Sequence, residues 1–166
     1  KNHAAELAYE LRERGRVARS GNTTPFYYRG KELKYAAATF PCGSCAFVGK
    51  SYAEVKTHCA GEHRYDLDAL LVQAGGDLTA LEGQKVYRPG TFKHCKAIGW
   101  YVDEYKRAQI SINLTNYKIT PPHLVLEEAR RLAVQRGLVV TGSEVVGLIP
   151  YPALLEAGRY YLKAQG

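Results

Sequence analysis

The chain has 166 residues, 46% of them hydrophobic and 23% charged, with a formal net charge of +7. That length supports one ordinary core with a small satellite module, and the apolar fraction excludes a disordered chain. No apolar run approaches the roughly 20 residues that cross a bilayer, so no membrane role is expected. The positive balance points to anionic partners (nucleic acid, polyanionic small molecules or acidic surfaces), or simply to a solvated basic surface. Four cysteines, two of them a C-x-x-C pair near histidines, fit a metal site in a reducing, cytoplasmic setting better than a disulfide framework. Methionine is absent altogether, which suggests a portion of a longer polypeptide.

Residues 3–14 place Ala4, Leu7, Ala8 and Leu11 at the i, i+3, i+4 and i+7 spacing of an amphipathic helix, with Gly15 as its stop. Residues 16–35 scatter Arg16, Arg19, Arg29, Lys31 and Lys34 among glycine, serine, threonine and proline, the pattern of a basic loop. Residues 40–72 form a compact Cys/His segment, and 73–93 a glycine-containing connector with a turn at Pro89 and Gly90. Strands are expected over 95–103 and 108–115, joined by a charged turn near 103–106. In the second strand Ile110, Ile112 and Leu114 alternate with Gln109, Ser111, Asn113 and Thr115, giving one apolar and one polar face. On the first, Lys96 and Trp100 share a face by the same alternation.

Thr120 is expected to cap a helix opened by Pro121 and Pro122, with Val125, Ala129, Leu132 and Ala133 as its buried stripe and Gly137 at its end. A strand over 138–148 follows. Gly142, Ser143 and Glu144 interrupt it, as happens where a ligand or another backbone comes close. A helix over 152–164 closes the chain, with Leu154, Leu155, Gly158, Tyr161 and Leu162 on one side. The order helix–strand–strand–helix–strand–helix predicts an α+β sandwich, a small sheet with helices on one face.

Cys42-Gly-Ser-Cys45, twelve residues, His58, four residues and His63 have the spacing of a two-cysteine, two-histidine zinc finger. A glycine-containing knuckle would present Cys42 and Cys45, and a helix starting near Ser51 would present His58 and His63. Phe40, Phe47 and Val55 would form its small core. Phe47 would stand in for the aromatic that Gly49 displaces. Cys59 competes with His58, because Cys59 and His63 also share a helical face, but Val55 three residues before His58 favours the histidine. The alternative is a vestigial finger without metal. With one finger, and no arginine on SYAEVKTH, base reading is not expected. A structural Zn2+ that orders the segment is the reading preferred.

The stretch GSEVVGLIPYPALLEAG, residues 142–158, resembles the GSE-VGL-P-ALL-AG signature of glutamate formiminotransferase. The upstream run KAIGWYVDEYKRAQISINLTNYKITPPHLVLEEARRLAVQRGLVVTGSE is similar to the same family, and ELRERGR resembles its I-REQGRG segment. The resemblance covers residues 2–16 and 94–165, so 1–16 with 94–166 would be the carboxy-terminal subdomain of that module. Residues 17–93 would be an insertion, with a ββα zinc-finger-like element at about 40–72, and would inherit nothing from the family.

The resemblance implies a ferredoxin-like subdomain facing an amino-terminal subdomain of the same polypeptide, with folate between their sheets. It implies transfer of a formimino group from N-formiminoglutamate to tetrahydrofolate, the co-substrate, in histidine degradation. A homo-oligomer and a cytoplasmic location are also expected. The family's catalytic histidine lies in the amino-terminal subdomain, so no catalytic residue is expected here and this chain alone would be inactive. Substrate contacts are expected from Lys96, Trp100, Gln109, Ser111, Asn113, Ser143 and Glu144. The competing readings are a single-finger nucleic-acid-binding module and a zinc-stabilised interaction domain without catalysis.

Overall fold

The computed structural model describes residues 2–21 and 29–165. Its elements run α1 (Asn2–Leu11), β1 (Arg16–Val17), β2 (Phe40–Pro41), β3 (Val48–Gly49), α2 (Tyr52–Glu62), α3 (Leu67–Gln73), β4 (Tyr87–Arg88), β5 (Cys95–Val102), β6 (Arg107–Leu114), α4 (Pro122–Val134) and α5 (Tyr151–Ala164). Short antiparallel sheets and helices make this an α+β protein. It divides into two units, Lys1–Arg12 with Thr91–Gly166, and Glu13–Gly90.

In the first unit β5 and β6 form an antiparallel ladder from Cys95↔Leu114 to Val102↔Arg107. Partners in register share a face, so Cys95, Ala97 and Gly99 lie with Leu114, Ile112 and Ile110. α1 packs against that face. Leu7 and Leu11 meet Cys95, Val125, Ala129, Leu132 and Ala133 in one buried cluster, with Ile110 and Leu114 packed at its margin. Gly99 allows the approach: a Cβ there would fall 2.1 Å from the Ala4 carbonyl carbon.

Behind this contact Arg136 reaches Glu10 at 3.6 Å and Glu6 at 4.0 Å, and the Arg136 and Glu6 side chains are each only 3% exposed. Arg136 also donates to the Leu132 carbonyl at 3.0 Å. These charges tie α1 to the end of α4. Sequence periodicity gave no sign of them.

Two expectations for this unit are corrected. Pro121, not Thr120, occupies the cap position of α4 and makes no side-chain cap bond, while the Thr120 hydroxyl donates to the Lys93 carbonyl. Residues 138–148 form no strand, because no described segment supplies them with a ladder partner. Leu138 and Val140 pack at the edge of the core, but Val145, Val146 and Leu148 are exposed. α5 buries only Ala153. Its Tyr161 hydroxyl donates to Glu127 at 2.9 Å and Tyr160 rests on His123, whereas Leu154, Leu155 and Leu162 face outward.

The second unit is held at its ends by a ladder between β1 and β4, Arg16↔Arg88 and Val17↔Tyr87. Bridges Arg19↔Glu32 and Lys34↔Lys85 extend the pairing. The stretch read as a basic loop therefore carries β structure, and 73–93 contributes β4. Residues 22–28 of that stretch lie outside the described residues. Tyr35, Cys42, Val55, Cys59, Leu67, Leu70, Leu71 and Val86 form its core. On the first unit's side of the junction, Thr91 N–H donates to the Glu10 carbonyl at 2.7 Å and Phe92 N–H to that of Leu11 at 3.1 Å.

Gly99→Ala is expected to destabilise the protein by about 3 kcal/mol, since backbone must move to admit the methyl group. Gly142→Ala, with nothing within 4 Å of the added carbon, is expected to be close to neutral. Urea unfolding of the two variants checks the contrast.

Candidate functional site

Two surfaces concentrate chemistry. The first is the ββα element of the second unit. β2 and β3 pair as Phe40↔Gly49 and Pro41↔Val48, and the Cys42 N–H closes the hairpin on the Phe47 carbonyl at 2.8 Å. Inside it, the Ser44 N–H points to Cys42 Sγ at 3.4 Å and the Phe47 N–H to Cys45 Sγ at 3.5 Å. Such N–H donors favour sulfur that carries negative charge.

α2 starts where its sequence says it should. The Ser51 hydroxyl accepts from the Glu54 N–H at 3.3 Å, and the Glu54 carboxylate accepts from the Lys50 N–H at 2.8 Å. Capping at both sides of the first turn fixes the helix phase. That phase buries Val55 and carries His58 and His63 toward the hairpin.

The donor atoms of Cys42, Cys45, His58 and His63 all lie within 4.8 Å of one another. Cys45 Sγ is 3.1 Å from His58 Nε2 and 3.3 Å from His63 Nε2. A tetrahedral zinc with bonds of about 2.3 Å to sulfur and about 2.0 Å to nitrogen sets its donors roughly 3.3–3.8 Å apart. Two thiols and two imidazoles at this spacing fit that ion. Burial raises the Cys45 thiol above its ordinary value, opposed by the Phe47 N–H. A bound dication reverses that balance and favours thiolate.

Cys59 points elsewhere. Its thiol donates to the Tyr65 hydroxyl at 3.0 Å, and its sulfur lies 3.9 Å from Cys42 Sγ. Burial pushes the Cys59 thiol up to about 11. It is a protonated core group beside the quartet.

Phe47 does not enter the core as expected. It stacks on His58 with ring centres 4.1 Å apart and sides with solvent. A side chain at Gly49 would be crowded as well, because a Cβ there would sit 3.0 Å from the Ser51 carbonyl oxygen and 3.1 Å from the Val55 nitrogen. Tyr35 supplies the missing bulk, with its ring 5.4 Å from Phe40 and 6.2 Å from Tyr52. The finger core is thus shared with residues well outside the finger.

The second surface is the face of β5 and β6 opposite α1. The register pairs Lys96↔Asn113, Ile98↔Ser111 and Trp100↔Gln109 on this face. Lys96, Ser111 and Asn113 are exposed and Gln109 is half-buried. Ile98 is 60% exposed and Trp100 49%, so the face mixes hydrogen-bonding groups with apolar surface. Alternation from Lys96 could have revealed Ile98, which the sequence reading passed over. Thr115 lies past the strand, where its N–H donates to the His94 carbonyl at 2.9 Å. Ser143 and Glu144 are exposed on the irregular segment after α4. His123 is buried against Tyr160.

α2 and α3 are joined through Asp68, which accepts from the Tyr52 hydroxyl at 2.6 Å and pairs with Lys56. The Lys56 ammonium, then the Tyr52 hydroxyl, hold the Asp68 carboxyl below its ordinary value. A depressed carboxyl stabilises the fold above its unfolded pKa, about 3.9, and that contribution is lost as pH falls through the lower folded value. Asp68→Asn is expected to cost less than about 1 kcal/mol at neutral pH, because the pair is solvent-screened. The cost should vanish toward pH 2, as measured by denaturation of both proteins across that range.

Residues 72–166 match the family model described as Formiminotransferase domain. The finger, residues 42–63, lies outside the matched span. The chain is 51% identical over 74 residues to Formimidoyltransferase-cyclodeaminase of Dictyostelium discoideum, an alignment covering 45% of this chain and 14% of that protein. Against the Mus musculus protein of the same name identity is 45% over 80 residues, 48% of this chain and 15% of the relative. Against Glutamate formimidoyltransferase of Thermoplasma acidophilum it is 35% over 79 residues, 48% and 26%. The chain thus spans about a seventh to about a quarter of the length of the curated relatives it matches. A family model that takes in more than half of the residues, from the last turn of α3 to the last helix, makes this chain a member of the formiminotransferase domain family.

Proposed function

We propose that the first unit is the carboxy-terminal subdomain of a glutamate formimidoyltransferase and forms one wall of its substrate cleft. The enzyme moves the formimino group of N-formiminoglutamate to tetrahydrofolate in histidine degradation. The observation that carries this reading is the uncovered β5–β6 face. Trp100 and Ile98 offer a flat apolar patch for a pterin or benzoyl ring. Lys96 offers a cation for the carboxylates of either substrate. Gln109, Ser111 and Asn113 supply donors and acceptors in a row along β6. Ser143 and Glu144, on the exposed turn after α4, are further contacts in this proposal.

The reaction needs the imine carbon held against a folate nitrogen while protons move. Fixing both partners in one orientation accounts for much of the acceleration in such transfers. No side chain here is assigned as the acid or base, a role expected from a histidine on the amino-terminal subdomain of the same polypeptide. That partner would cover the Lys96–Trp100 face, and the exposed apolar groups Val145, Val146 and Leu148 suit burial by further protein. A homo-oligomer in the cytoplasm completes the proposal. No described helix is long and apolar enough to cross a membrane.

For the second unit the reading is a structural Zn2+ held by Cys42, Cys45, His58 and His63. The ion would contribute folding free energy and fix the hairpin to α2. Nucleic-acid binding is the weaker alternative. Lys56, the cation on the exposed side of α2, is already engaged by Asp68, and Glu54 is the neighbouring charge.

In the full polypeptide, Trp100→Ala and Lys96→Ala are each expected to raise the KM for tetrahydrofolate about tenfold, the loss of one good contact of about 1.4 kcal/mol. Steady-state formimino transfer measures this, and unchanged kinetics in both variants would remove the β5–β6 face from the site. Elemental analysis should find one zinc per chain. A chelator should then lower stability by about 4 kcal/mol where free zinc had exceeded its Kd a thousandfold. Purified protein without zinc, and unfolding indifferent to chelator, would reject the metal.

A further inference from the structure

The quartet has a fifth member that the zinc reading leaves idle. Cys59 Sγ lies 3.9 Å from Cys42 Sγ and follows His58 directly in α2, yet its thiol turns into the core toward Tyr65. The three sulfurs of this unit differ sharply in access. Cys45 is exposed, while Cys42 is 2% and Cys59 0% exposed. The fourth cysteine, Cys95, is buried in the core of the other unit.

We infer that Cys45, Cys42 and Cys59 form a thiol relay in which oxidation at the surface releases the metal and stores the change as a buried Cys42–Cys59 disulfide. The inference rests on the zinc reading for what is released, though the sulfur chemistry stands on the geometry alone.

A peroxide meets Cys45 first, because it is the sulfur that solvent reaches. The Cys45 thiolate takes one peroxide oxygen and becomes a sulfenic acid, and the other oxygen leaves as hydroxide. Cys42 sits with Cys45 in the quartet, and its sulfur attacks the sulfenic acid sulfur. That forms a Cys42–Cys45 disulfide and expels the sulfenic oxygen as water. Two electrons have passed from the thiols to the peroxide, and both sulfur ligands are lost to the metal.

Cys59 then gives up its thiol proton and attacks Cys42 Sγ: the Cys42–Cys59 bond forms, the Cys42–Cys45 bond breaks, and the leaving Cys45 sulfur takes a proton and returns as a thiol. Closing 3.9 Å to the ~2.05 Å of a disulfide is a movement of about 2 Å, the scale of a side-chain rotation. The product lies in the core, shielded from reductant. Cys45 is again at the surface, with one metal ligand fewer beside it. Direct capture of Cys42 by Cys45 alone, the usual fate of a C-x-x-C pair, leaves Cys59 a free thiol. The two end states are therefore distinguishable.

The test uses the full zinc-loaded chain treated with hydrogen peroxide. Samples are blocked with N-ethylmaleimide over time and mapped by peptide mass spectrometry, while a chromogenic chelator reads zinc. The expected course is an early Cys42–Cys45 linkage that gives way to Cys42–Cys59 with Cys45 alkylated. Cys59→Ser and Cys59→Ala should both stop at Cys42–Cys45. Cys45→Ser should slow formation of Cys42–Cys59 at least tenfold. Wild-type protein that ends at Cys42–Cys45 with Cys59 alkylated overturns the relay, as does oxidation beyond sulfenic acid with no disulfide. Starting protein that contains no zinc rejects the metal reading, and the disulfide map still decides the relay.

Discussion

In the first unit α1 presses directly on β5, with helix backbone lying on strand backbone at Ala4 and Gly99. The rest of the first unit depends on it. With no side chain at Gly99, α1 seals one face of a two-stranded ladder that would be too small to stand alone in water. α4 then closes the same core from beside it through Val125, Ala129 and Leu132, and Arg136 locks the two helices with buried charge. All the helical cover goes to one face. The opposite face, from Lys96 to Trp100 and across to Asn113, is left free to meet something else.

The second unit solves a different problem. Its ββα element is too short to hold itself, and its hairpin carries no packed aromatic at Gly49. Its core is therefore pooled: Tyr35 comes from upstream, Leu67, Leu70 and Leu71 from α3, and Val86 from beside β4. This enlarged support explains how the donors of the quartet can stand together within 4.8 Å. It also explains why Cys59 is drawn inward, since the helix face that Val55 buries carries Cys59 one turn later.

Much of the first unit was legible because periodicity alone fixed it. The alternation in 95–115 gave both strands and the two faces, and the spacing of Ala4, Leu7, Ala8 and Leu11 gave α1. The ββα element followed from ligand spacing and a helix expected to start near Ser51. What failed did so for more than one reason. The 138–148 run has a pattern that specifies pairing, but a pattern cannot say whether its partner lies within these residues. Thr120 and Phe47 failed for local reasons, a competing acceptor at Lys93 and a histidine ring to stack on. The Arg136–Glu6–Glu10 group was hidden because its members are distant in sequence and each looks like surface.

The junction between the units carries a consequence of its own. The chain leaves one unit after Arg12 and returns at Thr91, with Glu10 and Leu11 hydrogen-bonded to Thr91 and Phe92 on that side. On the other side Arg16 and Val17 lie against Arg88 and Tyr87, about 5 Å away as ladder partners must be. The second unit thus begins and ends on neighbouring backbone. Closing such a loop costs little more as it lengthens, because the cost grows only with the logarithm of its size. Within the first unit, the ends that meet at Leu11 and Phe92 are as close as those of a tight turn, whatever length of chain lies between them.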